Sequence, residues 1–133
     1  MMNTIVEGYL KSKGKMIRPI LVILTARMFG EVNDRVMASA AAVEMLHNAS
    51  LIHDDVIDET KLRRGYATVN SIWDNHIAVL VGDFFTATAL HHSLNTADIR
   101  IAEVISQLGR QLSLGEIDQI STARDHLLSE ESY

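Results

Sequence analysis

Apolar positions recur at helical spacing along almost the whole chain, and the polar interruptions between them are short. Residues 4–12 form a weak opening segment. Pro19 suits a first helical position, and the apolar run from Ile20 to Met28 closes at Gly30. Asn33 and Asp34 are good caps for a helix expected from Arg35 to Asp58. Its middle, Ala38 to Ala42, is rich in small side chains that let a neighbour approach closely. Glu59 to Asn70 is polar, contains Gly65, and is the one long loop the pattern predicts. Another helix is expected from Ile72 to Leu94. Asn95 and Thr96 break it, and Thr96 with Asp98 opens a last helix to about Leu127, ahead of a polar tail expected to fray. No period-2 alternation marks a strand. The expectation is an all-α fold of four substantial helices with short connections.

Composition narrows the function classes. With 47% apolar and 22% charged residues, the 133-residue chain has the make-up of an ordinary globular protein and enough length for one domain with a core. A net charge of −5 gives no reason to expect nucleic acid as a partner. The absence of cysteine excludes disulfides and thiolate metal sites, and it suits a reducing, cytoplasmic setting. The apolar stretches read as far shorter than a membrane span, and the N-terminus has no apolar leader pattern.

Candidate chemistry concentrates at HDDVIDE, residues 53–59, where the second long helix ends. Asp54 and Asp58 lie four apart and stack on one helix face, with Asp55 to the side of both. His47, seven residues earlier, points along nearly the same line as Asp54 and is a candidate hydrogen-bond donor to a phosphate. Stacked carboxylates at a helix C-terminus oppose both their own repulsion and the helix dipole. A hard divalent cation reverses that penalty, and Mg²⁺ is typically held by one or two carboxylates plus substrate phosphates. On spacing alone, a solvated acidic helix end remains the alternative. Basic groups flank the patch: Lys15 and Arg18 upstream, Arg63 and Arg64 in the loop, beside Gly65. Such cations suit a diphosphate delivered with its metal, and plain surface ion pairs are the alternative. Asp83, in the apolar stretch IAVLVGDFFTATAL, is expected to be buried and paired, with Gly82 allowing close helix contact. Glu116 and Gln119 either line a cavity or face water. His76, His91, His92 and His126 have no metal-spaced partners.

Taken together, GKMIRP (14–19), HNASLIHDDVIDE (47–59), LRRG (62–65), GDFF (82–85) and LGEIDQ (114–119) resemble, in order and spacing, the trans-isoprenyl diphosphate synthases, especially the polyprenyl, octaprenyl-type members. The resemblance implies the helical isoprenoid synthase fold, here about four to five antiparallel helices in a single partial domain spanning residues 1–133. It implies a prenyltransferase that joins an allylic diphosphate to isopentenyl diphosphate with Mg²⁺. Asp54, Asp55 and Asp58 match the metal-binding DDxxD motif, and Arg63 matches the contact to the allylic diphosphate. Lys15, Arg18, His47 and Arg64 match the isopentenyl diphosphate site. Ala49 and Ser50, small residues just before the aspartates, imply a medium- or long-chain product, with Phe84 and Phe85 as further contributors. The family's second aspartate-rich motif has no counterpart after Glu116. The resemblance therefore covers the N-terminal half of a synthase, starting after its usual first helix. Such a half is expected to be inactive or nearly so alone, and to associate as a homodimer or with a complementary chain. A natural short non-catalytic or regulatory subunit is the alternative, and a plain helical interaction protein the most distant one.

Overall fold

A computed structural model describes residues 1–10 and 16–131, the side chains of residues 10 and 131 excepted. These residues form six helices: α1 (Met2–Leu10), α2 (Ile17–Phe29), α3 (Asp34–Ile57), α4 (Val69–Ile72), α5 (Asn75–Asn95) and α6 (Ile99–Glu131). A two-stranded antiparallel hairpin, β1 (Leu62–Arg63) and β2 (Tyr66–Ala67), lies between α3 and α4.

The boundaries follow local chemistry. Asn33 caps α3 by accepting the Val36 N–H at 3.1 Å, and Asp74 caps α5 by accepting the Ile77 N–H at 2.7 Å. Asp98 accepts the Arg100 N–H at the start of α6. Pro19 sits in the first turn of α2 and is that helix's one buried residue. The loop expected over 59–70 holds the hairpin, which the sequence pattern did not show. Arg64 and Gly65 form its two-residue turn, at φ 54° and 80°. Both values are positive, as a primed hairpin turn requires, and glycine meets that demand without strain.

α5 is the central helix. It runs antiparallel to α3, with Ala49 and Ile52 packed among Ala78, Val81 and Phe85. A second cluster joins Ala42 and Leu46 of α3 to Ala89 of α5 and Ile105 of α6. Alanines at these crossings let the backbones approach. Because α6 turns back against α5, it runs parallel to α3. By length and composition alone α5 would suffice to cross a membrane, contrary to the short stretches expected from the sequence. Here its apolar face is used against α3 instead.

Coverage is uneven. On α2, Ile20, Leu21, Leu24, Met28 and Phe29 are exposed. On α6, Leu114, Ile117, Leu127 and Leu128 are exposed as well. Apolar surface of this extent marks faces that suit a partner surface.

Candidate functional site

The last two turns of α3 present carboxylates in two directions. Asp54 is half-buried, Asp58 is exposed, and both act on Glu116, which arrives from the parallel helix α6. Burial, and then the charge and hydrogen bond of Asp54, push the Glu116 carboxyl up to about 7, with Asp58 adding to the effect. His53 offsets this only in part. Asp54 and Asp58 thus act on a third carboxylate brought from α6. Glu116 is half-buried and Gln119 is exposed.

Asp55 points the other way. Its side chain is 7% exposed, and Arg63 holds it through Nη2 to Oδ1 at 2.6 Å and Nε to Oδ1 and Oδ2 at 3.0 and 3.2 Å. The expectation that all three aspartates face one metal therefore meets a divided arrangement: Asp55 and Arg63 are paired with each other. The pairing strengthens the guanidinium's hold on its proton. The hairpin places Arg63 here, and the corner is stitched throughout. The Asp55 carbonyl accepts the Thr60 N–H at 2.9 Å. Asn70 Nδ2 donates to the Thr60 carbonyl, and Thr68 Oγ1 donates to the same atom at 2.8 Å. Among the described residues, no group of three or more His, Asp or Glu side chains is arranged as a metal cage.

Beside Asp54, the His53 ring lies against Gly82, where a Cβ would collide with it. This is the close helix contact expected of that glycine. His53 Nε2 lies 3.2 Å from the Val79 carbonyl and 3.3 Å from Asp83 Oδ1. Asp83 is not buried as expected: its side chain is 61% exposed, on the flank of α5 that α3 leaves open. His53 and Asp83 border an apolar cleft of about 790 Å³ between α3, α5 and α6, lined deeper down by Leu46, Ile105 and Gly109. This size is in the range of small-molecule sites.

On the basic side, Arg18 donates from Nη1 to His47 Nε2 at 3.3 Å. His47 must then be neutral at that nitrogen, and burial together with Arg18 lowers its pKa. Arg64 is exposed in the hairpin turn. Lys15 lies outside the described residues. Ala49 is buried against α5, while Ser50 is half-buried and donates to the His47 carbonyl. Phe85 is buried and meets Tyr9 edge-on at 5.6 Å, whereas Phe84 is exposed.

Sequence reasoning passed over Tyr9 and Asn48. The Tyr9 hydroxyl donates to Asn48 Oδ1, and both border a small enclosed space with Asp55 and Arg63. Burial, aided by the Asp55 charge, pushes the Tyr9 hydroxyl up to about 12. Asn48 lies seven residues before Asp55, on the same stripe of α3, and that spacing was the available signal.

Comparison with known proteins identifies the family. The family description "Polyprenyl synthetase" matches residues 1–133. The chain is 38% identical over 120 residues to octaprenyl diphosphate synthase of Escherichia coli, covering 90% of this chain and 37% of that one. It is 41% identical over 112 residues to heptaprenyl diphosphate synthase component 2 of Bacillus subtilis, covering 84% and 32%. In structure it is similar to a decaprenyl diphosphate synthase from Rhodobacter capsulatus, with a TM-score of 0.86, 34% identity, and coverage of 90% and 37%. The chain spans about a third of the length of these relatives. With the family match running from end to end and the helices superposing on those of a solved synthase, the chain belongs to the polyprenyl synthetase family.

Proposed function

We propose that this chain supplies the diphosphate-binding end and the apolar cleft of a trans-prenyltransferase. Its substrates are an allylic diphosphate and isopentenyl diphosphate, and its product is a polyprenyl diphosphate. One observation carries the reading: the carboxylates at the end of α3 stand beside a large apolar cleft bordered by His53 and Asp83. A diphosphate with an apolar tail needs both.

The oxygen donors fit Mg²⁺. They are hard ligands, and the raised Glu116 carboxyl marks a spot where negative charge awaits neutralisation. Asp54 and Asp58 would hold the ion, with Asp55 adjoining. When bound, Mg²⁺ supplies charge neutralisation for the diphosphate leaving group. The remaining work falls to the chain. Arg63 and Arg64 offer guanidinium donors to the allylic diphosphate and its neighbour. Arg18 and His47, with Lys15, bind the isopentenyl diphosphate. The cleft sequesters the apolar tail, so water is kept from the electron-poor allylic carbon. Ala49 and Ser50 place no bulky side chain ahead of the aspartates, which favours a longer product.

A cysteine-free chain whose long apolar helix α5 packs against α3 suits a soluble, cytoplasmic protein. The exposed apolar faces of α2 and α6 suit association with a second copy or a complementary chain. The words "component 2" in the Bacillus subtilis relative's name favour a second reading, a subunit that works with another chain.

The test is calorimetric titration of the chain with an allylic diphosphate, with and without Mg²⁺. Binding should depend on Mg²⁺, and Asp54→Ala should weaken it by about tenfold or more, the scale of one charge-assisted contact. Binding indifferent to both would overturn the reading. Elongation by this chain alone should be slight, since it presents one acidic wall; robust elongation would refute that part.

A further inference from the structure

We infer that His53 is a positioning residue: its ring, keyed into the space that Gly82 leaves on α5, sets the rotation of α3 at which Asp54 turns toward α6. The inference rests on the diphosphate-site reading above. The crossing of α3 and α5 is smooth along much of its length. Ala42 and Ala49 of α3 and Ala78 and Ala89 of α5 are all buried there. Alanines bring two backbones close, but a methyl group resists rolling only weakly. His53 is different. Gly82 is buried directly against its ring, and a methyl group at that position would overlap ring atoms Nε2 and Cδ2. The same Nε2 lies 3.2 Å from the Val79 carbonyl and 3.3 Å from Asp83 Oδ1. Both are acceptors, so this nitrogen carries a proton and donates it. Val79, Gly82 and Asp83 stand at i, i+3 and i+4, on one ridge of α5. Shape and hydrogen bonding thus hold the ring at a single turn.

The consequence falls on the next residue. Asp54 lies about 100° round the helix from His53. With the ring turned to α5, the Asp54 carboxylate is left to act on Glu116 of α6. A carboxylate stands about 6 Å from its helix axis, so a roll of about 20° would carry it about 2 Å. Mg²⁺ demands near-ideal octahedral geometry at short oxygen distances, and a displacement of that size removes a ligand. Ala49, one turn earlier on the same face of α3, packs in an apolar cluster and gives no such directional hold. His53 also borders the apolar cleft, so the contact that aims the acidic end stands where the tail of a substrate would begin.

Titration with Mn²⁺ alone, followed by electron paramagnetic resonance, tests this. His53→Ala should weaken Mn²⁺ affinity by about tenfold, the lower end of what groups that orient a metal ligand cost. Gly82→Ala, which expels the ring, should lose about as much, and the double variant His53→Ala, Gly82→Ala should lose no more than either single one, since one contact is broken in all three. His53→Gln keeps an N–H donor that fits beside Gly82 and should restore affinity to within about threefold. Ile52→Val, at the same crossing but away from Gly82, should lower Tm and leave Mn²⁺ affinity within about twofold. That control separates aiming from mere stability, and should His53→Ala lose its helical signal, the contrast between Gly82→Ala and Ile52→Val decides. The inference is overturned if the His53 and Gly82 variants bind Mn²⁺ as the wild type does, if their losses multiply, or if Ile52→Val weakens Mn²⁺ equally. A wild-type chain that does not bind Mn²⁺ overturns the diphosphate-site reading itself, and this inference with it.

Discussion

The two sides of the α3 C-terminus carry the same residue type and meet opposite treatment. On the hairpin side, Asp55 is buried, doubly held by Arg63 and surrounded by hydrogen bonds that close the corner. On the α6 side, Asp54 and Asp58 act on a third carboxylate, Glu116. The first arrangement is complete within the chain. The contrast separates two uses of one residue type along a single motif: a carboxylate paired within the chain on one side, and carboxylates facing one another, the proposed ligand site, on the other.

Three measurements probe that contrast, from the largest effect to the smallest. Mg²⁺ with pyrophosphate should stabilise the chain through the α6 side, by about 2.7 kcal/mol at about a hundredfold excess over Kd. Thermal unfolding with and without a chelator reads this, and an unchanged Tm would count against the site. Next, Asp55→Ala strips Arg63 of its partner and should cost about 2 kcal/mol in urea unfolding, a figure held down because the guanidinium is partly solvated. Last, Glu116→Gln removes a like charge and should raise stability by about 0.3 kcal/mol without metal. The signs matter more than the sizes: removing a charge hurts on one side of α3 and helps on the other. A loss from Glu116→Gln would erase the distinction.

Much of the fold was legible from the sequence. Asn33 opens α3 as its cap chemistry demands, and the long helices fall within a few residues of the periodic pattern, although α5 starts behind an Asp74 cap a turn later than expected. The hairpin was not legible. Two-residue strands are too short to alternate, and the turn at Arg64–Gly65 differs from an ordinary polar loop only in backbone angle. In the site, the Asp54–Asp58 stripe could be read because it is local to one helix. The Asp55–Arg63 pair depends on the hairpin doubling back. The Asp54–Glu116 meeting depends on α5 intervening so that α3 and α6 run parallel. Asp83 misled for a related reason: apolar neighbours in sequence say a helix is buried somewhere, but not which of its flanks is left open.

The length of α6 has a consequence in time. Its 33 residues span about 50 Å at 1.5 Å per residue, and beyond Leu112 almost nothing covers it. Backbone amides near Ile105 should exchange with deuterium slowly, and those toward Leu128 quickly, as the helix opens from its far end. Glu116 sits at the transition between these regimes. A ligand that ties Asp54 and Asp58 to Glu116 would clamp the helix there, and the slow zone would advance along it. Exchange in α6 is thus a clock for site occupancy that needs neither turnover nor product.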